Sequence, residues 1–105
     1  MKRICRHYGL HSVCYGHAGD GNLHVNIIKG KLTDSQWETD LPVAIRELFT
    51  EVVALGGTLS GEHGIGLVQQ PYMDIAFPEI TLQLMRQIKD VFDPKGILNP
   101  GKIFN

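Results

Sequence analysis

The sequence predicts an α+β domain, in which a small antiparallel sheet has two main helices on one face. Residues 23–28 alternate between apolar and polar side chains with a period of two, as a half-buried strand does. The preceding Gly-Asp-Gly-Asn at 19–22 is typical of a turn and favours a hairpin that pairs this strand with residues 12–15. Two later segments repeat apolar residues at helical intervals, which predicts the two helices.

The two faces of the second strand differ in character. Leu23, Val25 and Ile27 share one face, which we expect to pack on the core. His24 and Asn26 point from the other face, so their polar groups are available for chemistry.

The first long helix is predicted to open at residues 33–35 and to end at 56–57, a pair of glycines. Ser35 and Glu38 have the spacing of a capping box. Pro42 interrupts the pattern, so we expect the regular helix to begin just before it, since proline costs little in a first turn.

The last helix is predicted to open at 78–79 and to stop at 93–94. Its apolar residues form one stripe, made of Ile80, Leu84, Ile88, Val91 and Phe92. Residues 96–104 are rich in turn formers yet carry large apolar side chains, which a free tail does not need. We therefore expect the tail to dock.

Length and composition exclude several classes of function. The 105 residues suit one domain, and a net charge of −1 gives no reason to expect a nucleic acid or an anionic membrane as partner. Cys5 and Cys14 are too few for a disulfide framework, which favours reduced thiols. No signal-peptide pattern and no apolar run of about 18 residues is present, so the expected location is the cytoplasm, with no transmembrane segment.

Two histidines bracket the turn of the hairpin. His17 and His24 are seven positions apart, and pairing of the strands sets them side by side. With Glu62 they would make three ligands of the kind that zinc or a similar ion prefers, and an open fourth position is typical of a catalytic site. The spacing alone leaves a second interpretation open, in which the histidines are hydrogen-bonded or surface residues.

The second polar cluster is the glycine-rich segment 60–66, Ser-Gly-Glu-His-Gly-Ile-Gly. In a tight loop Glu62 and His63 reach one cavity, whereas in an extended strand they point to opposite sides. The glycines allow either close approach of the backbone to a neighbour or simple loop flexibility. Neither a dinucleotide-binding fingerprint nor a Walker loop is present, and Ser60 lacks the elbow of a hydrolase nucleophile.

Three ordered motifs together resemble the C-terminal domain of FAD-linked oxidases, the family that includes D-lactate dehydrogenase, the glycolate oxidase large subunit and D-2-hydroxyglutarate dehydrogenase. They are His-Ala-Gly-Asp-Gly-Asn-Leu-His-Val-Asn at 17–26, Ser-Gly-Glu-His-Gly-Ile-Gly at 60–66, and Phe-Asp-Pro-Lys-Gly-Ile-Leu-Asn-Pro-Gly-Lys-Ile at 92–103. With their spacing they cover nearly the whole chain. The resemblance implies that residues 1–105 form the C-terminal part of the ferredoxin-like cap domain of this family.

The resemblance also implies roles for six side chains. A divalent metal, zinc in the best-matching members, would have the ligands His17, His24 and Glu62. His63 would be the catalytic base, Asn26 would lie near the substrate, and Asn99 would lie in a closing loop beside the flavin. The implied reaction is oxidation of a 2-hydroxy acid to a 2-oxo acid, with the hydroxyl proton passing to the base, hydride to FAD, and electrons to a separate acceptor.

The same resemblance implies a partner. In this family FAD is held by a separate domain that this chain does not include, so the isolated chain is expected neither to bind FAD nor to turn over substrate. An exposed sheet edge predicts self-association as a homodimer. The alternative function is a non-catalytic metal-binding or assembly module that uses the same pocket without flavin.

Overall fold

The computed structural model describes residues 1–104. The elements in chain order are α1 (Lys2–His7), β1 (His11–His17), β2 (Asn22–Ile28), α2 (Asp34–Ala54), α3 (Met73–Ala76) and α4 (Glu79–Phe92). Short 3₁₀ turns, Ala18–Asp20 and Gln70–Tyr72, precede β2 and α3. The predicted α+β class is confirmed, because an antiparallel two-stranded sheet is combined with helices. Within residues 1–104, no helix is long and apolar enough to cross a bilayer.

Strands β1 and β2 form the predicted hairpin. They pair along their whole length, from His11 opposite Ile28 to His17 opposite Asn22. Gly21 closes the turn with φ = 65°, a left-handed conformation that glycine adopts without steric cost. Because the described sheet has two strands, each of them is an edge strand.

Helix α2 runs without interruption through Pro42, so the expected start just before this proline is wrong. Trp37, in the part of the helix that precedes Pro42, packs against the core. This tertiary contact offsets the backbone hydrogen bond that proline cannot donate, and the helix therefore extends a further two turns toward its N-terminus.

The N-terminal cap of α2 also differs from the prediction. Ser35 and Glu38 do not form the capping box; Thr33 is the N-cap, and its partner is Gln36. The Gln36 N–H donates to Thr33 Oγ1 and the Thr33 N–H donates to Gln36 Oε1, both at 3.1 Å. The reciprocal bonds satisfy two backbone donors that the first turn of a helix otherwise leaves free.

The core lies between α1, α2 and one end of the hairpin. Its buried residues are Ile4, Cys5, Leu10 and Ala44, with Met1, Tyr8, Ile27, Leu32, Trp37 and Leu48 packed around them. Ile27 confirms that this face of β2 turns inward, but Leu23 on the same face is 61% exposed. The core reaches only the end of the hairpin remote from the turn, so the prediction that the whole face packs is wrong at Leu23.

Helix α4 begins after Pro78 and ends at Phe92, as predicted. Its apolar stripe is not packed on the sheet: Ile80 is 72% exposed and Val91 77%. The buried residue of α4 is Leu82, which lies on the opposite side of the helix. Packing of α4 on the sheet would bury its apolar stripe, and this stripe is exposed. The expectation of two helices on one face of the sheet is therefore wrong for α4.

The C-terminal tail packs back onto the chain, as predicted, but hydrogen bonds hold it rather than its apolar side chains, since Ile97 and Leu98 are 71% and 57% exposed. The Ile103 N–H donates to the Gly66 carbonyl oxygen at 2.8 Å. Gln70 Nε2 donates to the carbonyl oxygen atoms of Gly101, at 3.1 Å, and of Phe104. These bonds tie the tail to the segment that follows the glycine-rich cluster.

Candidate functional site

One face of the hairpin carries polar side chains from both strands. Residues directly opposite each other in an antiparallel pair share a face. The register places Tyr15 opposite His24 and His17 opposite Asn22. Alternation along β2 adds Asn26 to the same side. We call this set, which consists of Tyr15, His17, Asn22, His24 and Asn26, the polar hairpin face.

Tyr15 belongs to this face although it lies outside the three motifs. Its ring stacks on the His24 imidazole, with ring centroids 5.2 Å apart and an interplanar angle of 18°. Its hydroxyl oxygen accepts a hydrogen bond from Asn26 Nδ2 at 3.3 Å. A signal for it was present in the sequence, because a hairpin that turns at residues 18–21 puts position 15 opposite position 24.

The glycine-rich segment 60–66 lies against the turn end of the polar hairpin face. A Cβ atom on Gly61 would lie 2.1 Å from Asn22 Oδ1, which is too close for any residue but glycine without displacing Asn22. Close approach is therefore the structural role of Gly61. The contact brings the next residue to β2, where Glu62 Oε1 lies 3.0 Å from His24 Nε2.

The Glu62 carboxylate lies beside two imidazoles. Its Oε1 atom is 3.0 Å from His24 Nε2 and 3.9 Å from His63 Nε2. Ser60 Oγ accepts a hydrogen bond from the Gly64 N–H at 2.8 Å, which closes the segment into a loop. Of the two arrangements that the sequence left open, the structure has the tight loop, since Glu62 and His63 lie close together rather than on opposite sides of a strand.

The donor atoms of this site suit a divalent ion, because zinc binds imidazole nitrogen and carboxylate oxygen. Within residues 1–104, however, no group of three His, Cys, Asp or Glu side chains is placed so that it could hold a metal ion. His17 occupies a diagonal position from His24 on the polar hairpin face, and diagonal neighbours in a hairpin are about 7–8 Å apart. The structure thus joins His24, Glu62 and His63, and it does not bring His17 into contact with them.

Asn99 lies in the tail, with a positive φ of 45°. It lines an open depression of about 290 Å³ together with Arg86, Lys89 and Lys102, residues of α4 and the tail rather than of the hairpin. Pockets for small ligands enclose about 300–1,000 Å³. At about 290 Å³ and open to solvent, this depression is slightly smaller than such pockets and does not enclose a ligand.

Asp93 holds the loop that contains Asn99. Its side chain is buried, and its carboxylate accepts hydrogen bonds from Lys89 Nζ and from the backbone N–H groups of Ile97 and Leu98, the last two at 3.0 Å. The hydrogen bond from Lys89 is the main cause that lowers the pKa of the Asp93 carboxyl, and the two backbone bonds lower it further. Desolvation by burial acts in the opposite direction and is outweighed. The loop is therefore fixed in position by a charged, satisfied group.

The chain belongs to the FAD linked oxidases, C-terminal domain family, whose model matches residues 1–103. The match confirms the resemblance carried by the three motifs. Among individual relatives, the chain is 46% identical over 100 residues to D-lactate dehydrogenase of Archaeoglobus fulgidus and 38% identical over 101 residues to the glycolate oxidase subunit GlcD of Bacillus subtilis. It is 44% identical over 94 residues to the mitochondrial D-2-hydroxyglutarate dehydrogenase of Bos taurus.

These three matches cover most of the chain and a small part of each relative. They include 95%, 96% and 89% of the chain but 21%, 21% and 16% of the respective relatives. The chain therefore spans about a fifth of the length of the relatives that it matches.

Proposed function

We propose that this chain supplies catalytic groups to an FAD-dependent oxidoreductase that converts a 2-hydroxy acid, of the lactate or glycolate type, to a 2-oxo acid. The observation that carries the proposal is the meeting of Glu62 with His24 and His63 at the polar hairpin face. One carboxylate and two imidazoles in one place are able to bind a cation and to move a proton. The names of the relatives, among them D-lactate dehydrogenase and glycolate oxidase, refer to 2-hydroxy acids and support this substrate class.

We assign a divalent metal, zinc in the simplest case, to the side chains of His17, His24 and Glu62. When bound, such an ion is a Lewis acid that lowers the pKa of a substrate hydroxyl group. Support comes from the 3.0 Å distance between His24 Nε2 and Glu62 Oε1, because two donors are already adjacent. The stacked ring of Tyr15 restrains the orientation of the His24 imidazole.

His63 is the proposed catalytic base. Its side chain is 84% exposed, so its Nε2 atom is free to meet a substrate hydroxyl. A neutral imidazole accepts the hydroxyl proton on this nitrogen. Asn26, on the same face as His24, offers an amide donor to the substrate carboxylate. FAD, held outside this chain, supplies the hydride acceptor.

The proposed partners are a flavin-binding domain or subunit, a small 2-hydroxy acid and an electron acceptor. Asn99 would contact the flavin from the tail loop that Asp93 holds. Because both hairpin strands are edges, strands of a partner domain can extend this sheet, as half of a ferredoxin-like cap requires. Self-association of the chain through the same edges stays a prediction.

The metal site is tested by the zinc content and zinc affinity of the purified chain. Wild type is expected to bind about one ion per chain, and His24→Ala or Glu62→Ala is expected to abolish binding, because either change removes one of the two adjacent donors. His17→Ala is expected to weaken it. His11→Ala is the matched control, since His11 is an exposed histidine at the other end of β1. Zinc content that is equal in all five proteins would contradict the assignment.

Catalysis is tested in a chimera in which this chain replaces the matching segment of the Archaeoglobus fulgidus D-lactate dehydrogenase. D-Lactate oxidation with an artificial electron acceptor is expected, and His63→Gln is expected to lower kcat by about 100- to 10,000-fold, the usual contribution of a general base. His7→Gln, at an exposed histidine of α1, is the control. Zinc binding without turnover in a folded, FAD-loaded chimera would favour the non-catalytic metal-binding module instead.

A further inference from the structure

Helix α4 carries its apolar side chains on the side that is turned away from the rest of the chain. Ile80, Leu84, Ile88 and Val91 are 72%, 55%, 53% and 77% exposed. At 100° per residue these four positions fall within an arc of about 80°, so they form one continuous face. We call this set the α4 apolar face.

The opposite side of α4, which faces the chain, is mixed in character. It contains the buried Leu82 and the partly buried Met85, Arg86 and Lys89. Both basic groups of this side are paired within the chain, Arg86 with Glu79 and Lys89 with Asp93. The helix is thus amphipathic with its apolar side outward, the reverse of a helix that covers its own core.

The α4 apolar face itself contains no charged residue. On one flank of it Gln83 and Gln87 are exposed and neutral, and the exposed Asp90 lies beyond them. Depletion of charged residues at an apolar centre with a polar rim is typical of protein–protein interfaces. A helix that lies in a membrane surface instead carries lysine and arginine along its polar side, free to meet lipid headgroups. In α4 the corresponding Arg86 and Lys89 are paired with carboxylates, which favours a protein partner.

The tail extends this surface with side chains held in fixed positions. Ile97 and Leu98 are 71% and 57% exposed, while their backbone N–H groups both bond to the buried Asp93 carboxylate. Lys89 Nζ also donates to the Leu98 carbonyl oxygen at 2.7 Å. On a mobile tail, exposed apolar side chains do not indicate a binding surface. Here the backbone is fixed by hydrogen bonds, so the side chains are preorganised for a contact.

The relatives contain much more chain than the segment that they share with this protein. The matched segments make up 16–21% of the relatives' length, and the matching family is by its description a C-terminal domain. We propose that the α4 apolar face, continued by Ile97 and Leu98, is the interface with the preceding part of an FAD-linked oxidase, which meets it with an apolar surface of its own. The inference rests on the proposed function, in which a flavin-binding polypeptide is the partner of this chain. It adds that this partner binds the α4 apolar face.

The test measures accessibility of α4 in the isolated chain and in the chimera with the Archaeoglobus fulgidus enzyme. Ile88→Cys is labelled with a maleimide, and mass spectrometry of the modified peptide gives the rate at that site alone. Val43→Cys on α2 is the matched control, because Val43 and Ile88 are 50% and 53% exposed. Labelling at position 88 is expected to be at least about tenfold slower in the chimera than in the isolated chain, with little change at position 43. Equal rates at position 88, or equal slowing at both positions, would overturn the proposal.

Two measurements on the isolated chain keep the proposal open to refutation if the chimera does not fold. The double variant Leu84→Gln/Ile88→Gln is expected to leave Tm nearly unchanged, because both side chains are more than half exposed and neither belongs to the buried core. A clear loss of Tm would place them in the chain's own core. Labelling of Ile88→Cys is expected not to depend on protein concentration over a roughly hundredfold range. Slower labelling together with dimer formation at high concentration would assign the face to a second copy. None of these readouts depends on zinc or turnover, so their failure is distinct from failure of the proposed chemistry.

Discussion

Replacement of Gly61 by alanine tests how the candidate site is assembled. The added Cβ atom would lie 2.1 Å from Asn22 Oδ1 and 2.8 Å from Asn22 Cγ. Ordinary contacts of a Cβ atom begin at 3.4 Å, so the overlap with Oδ1 is about 1.3 Å. Either the Asn22 side chain rotates out of the contact, or segment 60–66 moves away from the hairpin and separates Glu62 from His24.

If the segment moves, the cost is about 1–3 kcal/mol, as for overpacking, whereas rotation of the Asn22 side chain alone costs less because only the end of that side chain clashes. In a domain of about 100 residues each kcal/mol lowers Tm by roughly 4–8 °C. Urea and thermal unfolding, followed by the fluorescence of Trp37, measure both quantities, since Trp37 is the single tryptophan and packs on the core. If the loop moves, zinc affinity falls in parallel, because Glu62 no longer lies next to His24.

Gly66→Ala is the matched control for Gly61→Ala. A Cβ atom on Gly66 would meet no atom within 4 Å, so this variant is expected to be neutral or slightly stabilising. Asn22→Ala combined with Gly61→Ala is expected to recover most of the lost stability, because the clashing atoms are gone. Equal stability of the two single alanine variants, or the absence of recovery in the double variant, would refute the proposed contact between Gly61 and Asn22.

Three further predictions concern the stacked tyrosine, the buried carboxylate and the core. Tyr15→Leu is expected to weaken zinc binding by about 10- to 100-fold, the usual effect of losing a group that orients a ligand. Tyr15→Phe keeps the stacked ring and is expected to keep most of the affinity. A competition titration with a chelator measures the zinc affinity of both variants. The folded-state pKa of Asp93 is lowered, so the stability that its carboxylate contributes is present above the usual carboxyl pKa and is lost as pH falls through the lowered value. In urea unfolding at a series of pH values, Asp93→Asn is therefore expected to be less stable than wild type at neutral pH and less sensitive to acid. Parallel pH curves for the two proteins would contradict this. Ile4 is 1% exposed, so Ile4→Ala is expected to lower the free energy of unfolding by about 2–5 kcal/mol, while Ile88→Ala in the isolated chain lowers it little, and similar losses in both variants would contradict the exposure of α4.

Local patterns predicted the elements that depend on near neighbours. The turn residues at 19–22 and the period-two alternation of 23–28 correctly indicated the hairpin, because backbone conformation and strand alternation are properties of short segments. The same alternation placed His24 and Asn26 together on the face opposite Ile27. Tyr15 follows from this register as well, and it was missed because no motif includes it.

The predictions that failed concern contacts between distant parts of the chain. The spacing of Ser35 and Glu38 fits a capping box as well as that of Thr33 and Gln36, and the packing of Trp37 on the core favours the earlier start. For α4, periodicity identified which residues share a face but not the direction in which that face points. Direction depends on where the helix is attached to the rest of the protein, and a hydrophobic pattern does not contain that information.

The sequence by itself determined the family, the hairpin, and which imidazole and carboxylate groups are available to a site near its turn. Only the tertiary structure decided which of these groups meet: Glu62 contacts His24 across 38 positions of sequence, whereas His17, at the other end of the same turn, has no such contact. The physical reason is that the meeting depends on the close fit of Gly61 against Asn22, a long-range contact between two segments. Strand alternation orders the side chains within a hairpin, but it cannot place a distant loop upon it.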